Sequence, residues 1–528
     1  MYWSTGQLIL QGSRFIERHP QLFGCYITNF SCGPDSFLLG YFSNIMGEKP
    51  FLILELDSHV TDAGLETRIE AFMDIIKNYR ELGKWQTDSS ATHYPLRKAA
   101  SFDYKKQEFI DSKGKGYPLH HPQIHLVIPS MGRFLSDATS AVFRSIGIRS
   151  SVLPPADDET LKLGRGNTSC KECLPLLLTV GGLLKYLKKR DSSDERLVYF
   201  MPTASGPCRF GQYSPFISQL IAKNGIENVA LFSLQAANSY TELGGNELTL
   251  KLWSCLVVAD MMQDIYSVIL TNAVDKDAAL EIYNKESKKL VEVFEQSPNF
   301  KDLLKALAKA ADNLQKIPVN RHVNDTPSIL LTGEIFVRHD DLSRQFLVEK
   351  LAEQGFTTKV SSVMEWVYYT DWCFKKGLSA AVPNLQERVS LLVRSTWMRR
   401  YEKTFKKIME RSNLFQYRLD DVKHLIRNIS QLINPRLTGE AVLTIGAAVT
   451  ETPCHYCGVI AIGPFGCMPN RLSEAILSRE MGTERPFLAI ESDGNLFPQV
   501  ITAKLEVFLL QALRLHENMR KSGRRQIH

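Results

Sequence analysis

The stretch GVIAIGPFGCMPNRLSEAILSREMG, from Gly458 to Gly482, carries the pattern that predicts the fold of this chain. The apolar run Gly458–Ile462 indicates a short buried strand, and the residues after Asn470 indicate a helix that ends at Gly482. Between these two elements, Cys467 stands in a turn of glycine and proline. A strand followed by a turn and a helix is the opening of a parallel α/β unit.

The same pattern occurs near the start of the chain, in CYITNFSCGPDSFLLGYFSNIMGEKPFLILELDSH. Cys32 aligns with Cys467 in this comparison. The match includes Met46-Gly47, which aligns with Met481-Gly482, and it continues through the next strand and helix after a one-residue slip. We interpret the match as a partial internal duplication. The body of the first module is absent from this sequence, so we expect that another polypeptide supplies it or that the gene is split or truncated.

Elsewhere, apolar strands alternate with helices, which predicts an α/β fold with Rossmann-like parallel-sheet lobes and a helical insertion. Among the individual elements, a strand is predicted over Ser328–Arg338 and a helix over Asp341–Gln354. The predicted organisation has five parts: 1–95, the closing part of a first module; 96–120, a linker; 121–245, an α/β lobe with Cys170, Cys173 and Cys208; 246–325, a helical insertion; and 326–528, a second α/β lobe with Cys467.

Composition excludes several classes of function. A net charge of +6 on 528 residues gives no case for a nucleic-acid partner. We find no run of about 18 apolar residues and no secretory signal, so we expect no membrane partner and a cytoplasmic location. The sequence contains neither GxGxxG nor GxxxxGK[ST], and no bound nucleotide is expected on this chain. In a cytoplasmic protein, ten cysteines indicate metal ligation, redox chemistry or simple burial rather than disulfides.

Three loops share one design, in which a strand ends, a cysteine flanked by glycine or proline follows, and a helix begins. They contain Cys32, Cys208 and Cys467. Ligands bind beyond the carboxyl ends of strands in open α/β sheets, and helix N-termini stabilise thiolates. Arg209, next to Cys208, could supply positive charge to a cluster or a substrate. These three cysteines are therefore candidate ligands of a metal centre.

Two CxxC pairs add further thiols. Cys170 and Cys173 precede a helix in TSCKECLPLLL, and Cys454 and Cys457 flank His455 in TPCHYCG. This spacing suits a metal or cluster site, and it suits a buried or redox-active pair equally well. The remaining cysteines are predicted to be core residues: Cys25, Cys255 and Cys373. The wide scatter of the candidate thiols along the chain favours a large inorganic cluster in the crevice between lobes over a compact zinc knuckle.

The segments KECLPLLLTVGG, GPCRFGQY, TGEIFVR, MEWVYY and PFGCMPN, with NFSCGPDSF near the start, resemble the 2-hydroxyacyl-CoA dehydratase family. They resemble most the large acyl-CoA dehydratase activase-related proteins, which are kin to double-cubane cluster proteins. The resemblance implies a 4Fe-4S cluster or an 8Fe-9S double cubane held by Cys173, Cys208 and Cys467. Cys32 is then the first-module equivalent of Cys467. Cys170, Cys454 and Cys457 depart from the family pattern, and they remain further candidate ligands because of their CxxC spacing.

The resemblance also implies a partner, an ATP-dependent activator with an actin/hexokinase-like fold that delivers one electron at low potential. Members of the family then dehydrate 2-hydroxyacyl-CoA or reduce small molecules in anaerobic metabolism. Two alternatives stay open. The chain is a non-catalytic scaffold or electron-transfer subunit that completes a module supplied by another chain, or it is a structural zinc protein. For Glu334 and Arg338 two interpretations stay open: they contact the substrate, or they form a structural ion pair.

Overall fold

The computed structural model describes residues 3–29, 32–57, 61–82, 99–190, 194–204, 206–234, 245–296, 299–378, 385–482 and 485–521. Within these ranges the strands form three parallel sheets and one small antiparallel sheet. The predicted α/β class with parallel-sheet lobes is confirmed.

The first unit is a two-stranded parallel sheet with helices packed on it. Its elements are α1 Ser4–Arg18, β1 Gly24–Asn29, α2 Asp35–Met46, β2 Phe51–Leu56 and α3 Asp62–Glu81. Burial alternates along β1, because one face packs on a small apolar cluster that includes Phe42 and Met46. Cys25 lies on the other face and is exposed. The prediction of Cys25 as a core residue was therefore wrong, since this sheet is covered on one side only at that position.

The segment predicted as a linker differs from expectation. Residues 83–98 lie outside the described ranges, but the part that follows folds into an antiparallel sheet of β3 Ser101–Asp103, β4 Glu108–Ile110 and β5 Gly116–Pro118. Phe109 is fully buried, and Tyr117 joins it in the main apolar cluster. The sequence predicted a linker because this segment is polar in composition. The three strands are only three residues long, and most of their side chains apart from Phe109 and Tyr117 are at least partly exposed.

The next lobe is a four-stranded parallel sheet in the order β7-β6-β8-β9. Every residue of its central strand, Ile124–Ile128, is buried, as expected when helices cover both faces. The elements are β6 Ile124–Ile128, α4 Leu135–Arg144, β7 Ser150–Val152, α5 Asp158–Gly166, α6 Leu174–Lys189, β8 Arg196–Phe200, α7 Tyr213–Lys223 and β9 Val229–Phe232.

Three long helices follow: α8 Gly245–Asn272, α9 Lys276–Glu295 and α10 Phe300–Leu314. Within the described residues, one helical stretch, Glu247–Asn272 of α8, is long and apolar enough to cross a membrane. In its most apolar window, 67% of the residues are buried inside the protein, which is typical of the core helix of a soluble protein. This helix packs against helices from both sides of it in the chain, including α4, α9 and α12 Leu347–Glu353.

The last lobe is a second four-stranded parallel sheet, in the order β11-β10-β12-β13. Besides α12, its elements are β10 Ser328–Gly333, α11 Ile335–His339, β11 Thr357–Val360, α13 Val363–Lys375, α14 Leu385–Glu410, α15 Val422–Asn428, α16 Glu440–His455, β12 Gly458–Pro464, α17 Met468–Glu480, β13 Phe487–Ser492 and α18 Gln499–Lys521. The helices α13 to α16 extend the helical part of the molecule well beyond the predicted insertion, because α13 and α14 pack on α8.

Two predicted element boundaries need correction. The strand expected over Ser328–Arg338 ends at Gly333, and the residues after Glu334 begin helix α11. Gly333 has a φ of +111°, a conformation that turns the chain out of the sheet. The helix expected over Asp341–Gln354 is regular only over Leu347–Glu353.

The structure bears out the partial duplication. Both copies have the order strand, helix, parallel strand, helix, as β1-α2-β2-α3 and β12-α17-β13-α18. The strand register is also the same: Gly24 pairs with Phe51, and the aligned Val459 pairs with Phe487. The two copies therefore share one backbone design, and they differ in what surrounds them.

Candidate functional site

The three cysteines expected to act as ligands in the second module each stand at the start of a helix. Cys173 is the N-cap of α6, Cys467 is the N-cap of α17, and Cys208 is the N-cap of a short 3-10 helix, Arg209–Gln212, that leads into α7. Cys173 and Cys467 are buried, while Cys208 keeps some solvent exposure. Proline in the first turn of α6 and α17 fits this position, where no backbone N–H donor is needed.

Arg209 holds these loops together. Its Nη2 donates a hydrogen bond to the carbonyl oxygen of Phe465 (2.9 Å), two residues before Cys467. Its Nη1 lies 3.5 Å from the carbonyl oxygen of Lys171, in the CxxC segment, and 3.4 Å from Ser36 Oγ, in the segment after Cys32. One buried guanidinium therefore links four cysteine-bearing segments that are far apart in sequence.

The guanidinium also interacts with all four thiols through its charge. Burial raises the pKa of Cys173, and Arg209 acts in the opposite direction. Burial and Glu440 raise the pKa of Cys467, again opposed by Arg209. The pKa of Cys208 lies well above its ordinary value because of burial, Glu440 and Cys467. Thiols that resist ionisation in this way require a nearby cation before they become thiolates.

Two carboxyl groups complete the cluster: Glu440, which is buried, and Glu334, which is half-buried. Glu334 caps helix α11, where its Oε2 accepts a hydrogen bond from the Val337 amide (2.8 Å). Glu440, at the start of α16, accepts from the Ile335 amide through Oε1 (3.0 Å), and its Oε2 is buried without a partner. Burial and the adjacent Glu334 raise the pKa of Glu440 to about 8. Burial likewise raises the pKa of Glu334, so this carboxyl pair resists carrying two negative charges.

Cys32 lies on the other side of Arg209, in a cavity of about 370 Å³. The cavity is formed where the first unit meets both lobes, and Arg209, Cys170 and Gly466 also line it. The Cys32 loop is fixed by Asp35, whose carboxylate accepts hydrogen bonds from Tyr26 Oη (2.8 Å) and Thr28 Oγ1 (2.5 Å). The two duplicated cysteine loops therefore meet at this cavity.

The other candidate thiols are placed differently. Cys170 is exposed at the cavity and donates a hydrogen bond to the Arg165 carbonyl oxygen (3.4 Å). Cys457 precedes β12, about 20 Å from Cys467 along that strand, and its thiol donates to the Ser328 carbonyl oxygen (3.1 Å). The side chain of Cys454 lies outside the described residues. The structure therefore does not bring Cys457, the described member of the second CxxC pair, to the cysteine group.

His455 and the predicted core cysteines lie away from the cysteine group. His455 lies at the C-terminal end of α16, about 20 Å along the helix from Glu440, and burial lowers its pKa to about 4. Cys255 and Cys373 are buried, as predicted. Arg338 binds the carbonyl oxygens of Gly333 (2.7 Å) and Ser362 (3.1 Å), which is a structural role.

A buried amide without a hydrogen-bond partner, that of Asn470, lies three residues after Cys467. Asn470 aligns with Asp35, but the two hydroxyl groups that hold Asp35 are absent in the second copy, where Ala461 and Gly463 take their places. Asn470 is 3% exposed, and neither its Nδ2 nor its Oδ1 has a partner. A buried amide of this kind costs stability unless something absent from the protein chain binds it.

The donor set fits an iron–sulfur cluster in chemistry. Among the described residues, no three side chains of His, Cys, Asp or Glu are grouped closely enough to hold one metal ion. Three cysteine thiols beside one cation are donors of the kind that an anionic iron–sulfur cluster uses.

Sequence reasoning missed two members of this group. Glu440 follows a plain Thr-Gly turn, and no motif marks it. Asn470 is visible only through the duplication, as the aligned partner of Asp35.

No protein-family model and no curated protein matches the sequence.

Proposed function

We propose that this protein holds an iron–sulfur cluster through Cys173, Cys208 and Cys467, and that it is a dehydratase or reductase component in the cytoplasm. The observation that carries the proposal is the arrangement of these thiols, from loops far apart in the sequence, around the buried Arg209. We further propose that the electrons come from a separate ATP-dependent activator. A cluster of this type supplies one-electron transfer at low potential and, at an open iron, a site for substrate.

The residues of the chain perform three tasks in this proposal. Arg209 offsets the negative charge of the thiolates and keeps their loops in place. Asn470 offers a buried N–H donor, and such a donor would tune the potential of a bound cluster by hydrogen bonding to its sulfur. Glu440 holds a proton near neutral pH beside the thiols, because its pKa is raised to about 8.

The test is the metal content of protein purified without oxygen. We expect about four or more irons per chain with comparable acid-labile sulfide, and we expect Cys208→Ala to lose most of both. Cys255→Ala is the matched control, because Cys255 is buried in the apolar core away from Arg209. Its iron and sulfide should stay at the level of the unchanged protein.

Two other outcomes would contradict the proposal. Stoichiometric zinc without sulfide indicates a structural zinc protein. A folded chain that stays free of metal after anaerobic reconstitution with iron and sulfide indicates a scaffold.

A further inference from the structure

Among the described strands, the first copy of the duplicated unit lacks a neighbour that the second copy has. In the second copy, β12 is paired on one edge by β13 and on the other by β10, both in parallel. In the first copy, β1 is paired by β2 alone, and no described strand pairs with its other edge. The free edge of β1 is the one that corresponds to the β10 side of β12.

Apolar side chains beside this edge in the first copy are exposed, whereas the aligned side chains in the second copy are buried. Ile462 of β12 is fully buried, whereas the aligned Ile27 of β1 is 62% exposed. Leu505 of α18 is 9% exposed, whereas the aligned Ile69 of α3 is 44% exposed. Met73, one helical turn after Ile69, is 59% exposed. Together these residues form an apolar surface on one face of β1 and α3, which we call the β1 surface.

The second copy shows what covers such a surface. Ile462 and Leu505 belong to an apolar cluster with side chains from β10 and α12, among them Leu331 and Leu351. The neighbouring strand and helix thus fill the position that is open beside β1. Edge strands with exposed apolar residues are sites for strand addition, and pairing with another strand satisfies their free backbone groups.

We infer that the β1 surface binds another polypeptide, an α/β lobe that adds a parallel strand to the free edge of β1 and packs a helix on Ile27 and Met73. The duplicated unit supplies the template, since β10 and α12 make these contacts in the second copy. Because β1 ends at the cavity that Cys32 and Thr28 line, the added lobe also closes the wall of that cavity.

The experiment is site-specific photocrosslinking of the full-length chain in its native cells, with p-benzoylphenylalanine in place of Ile27. The control carries the same probe in place of Leu510, which is 60% exposed on α18, the helix equivalent to α3. We expect a crosslink from position 27 to one other polypeptide, with the crosslinked peptide located in an α/β lobe, and none from position 510. Met73→Arg should reduce the yield at position 27 at least tenfold, while Leu510→Arg should leave it unchanged.

Four results would overturn the inference. They are a crosslink to a second copy of this chain, a crosslink to another segment of the same polypeptide, equal labelling from both probe positions, and no crosslink at all. The readout is independent of iron, so it separates this inference from the proposed cluster.

Discussion

At the scale of single residues, Arg209 is the group on which the proposed site depends most. Its side chain is the cation shared by the four candidate cysteines, and its hydrogen bonds join the loops that carry them. The sequence places Arg209 beside Cys208 and predicts nothing about the contacts with Phe465 and Lys171. Those contacts arise only when the lobes and the first unit pack together.

Replacing Arg209 by methionine should therefore destabilise the protein strongly. The carbonyl oxygens of Phe465 and Lys171 lose a charged donor in a buried place, and we expect the free energy of unfolding to fall by about 2 to 4 kcal/mol. Arg165→Met is the matched control, since Arg165 lines the same cavity but makes only exposed hydrogen bonds, and it should cost less than about 1 kcal/mol. Urea unfolding measures both, and equal losses would contradict the role of Arg209.

At the scale of the elements, the turn after β10 places Glu334 and α11 at the site. A Cβ on Gly333 would lie 2.0 Å from the Ile462 carbonyl oxygen, and the positive φ disfavours any other residue. The strand pattern of SILLTGEIFVR continues through this turn, because the apolar residues Ile335, Phe336 and Val337 satisfy a helix as well as a strand. The sequence therefore predicts the strand correctly and misses its end.

Gly333→Ala should cost more than about 4 kcal/mol, because a backbone atom cannot move aside cheaply. Gly355→Ala is the control: Gly355 also has a positive φ, of +79°, but no atom lies within 4 Å of the added Cβ. Its cost should be about 1 to 2 kcal/mol, from the backbone conformation alone. Thermal unfolding compares the two variants, and similar melting temperatures would contradict the close approach of β10 and β12.

A buried acid at the start of α13 gives the stability a dependence on pH. Burial, followed by the charge of Asp420, raises the pKa of Glu365 to about 8 from an ordinary value of 4.5. The folded state therefore keeps this proton at a pH where the unfolded chain has lost it. The resulting stabilisation is complete below about pH 4.5 and is lost as the pH rises through about 8.

Between pH 6 and pH 8 the unfolding free energy of the unchanged protein should fall by about 2 kcal/mol more than that of Glu365→Gln. Glutamine resembles the protonated acid and does not ionise, so the variant isolates this one group. Urea unfolding at four pH values gives both slopes, and parallel slopes would show that Glu365 titrates normally in the folded state.

At the scale of the whole molecule, the duplication was the most informative feature of the sequence. It predicted two equivalent strand–helix units, and the structure places their cysteine loops at one cavity. The meeting of Cys32 with the second module was not predictable, because no local pattern fixes how the first unit docks. The small antiparallel sheet was missed for the same reason, since Phe109 is recognisable as a core residue only once its neighbours are known.

The incomplete first unit also predicts unequal protection of the two equivalent strands. Amides of β1 should exchange with deuterium at least tenfold faster than amides of β12, because one edge of β1 has no described partner and its apolar cluster is small. Hydrogen exchange with mass spectrometry of the purified protein compares peptides that cover Gly24–Asn29 and Gly458–Pro464. Equal protection would mean that the β1 edge is already covered in the isolated chain.

The central claim is that Cys173, Cys208 and Cys467 hold iron beside Arg209. The most direct measurement is a crystal structure of protein prepared without oxygen, with anomalous scattering recorded on both sides of the iron absorption edge. The account predicts iron peaks bordered by these three sulfur atoms, next to Arg209. Iron located elsewhere in the molecule, or a signal at the zinc edge at this position, would contradict it.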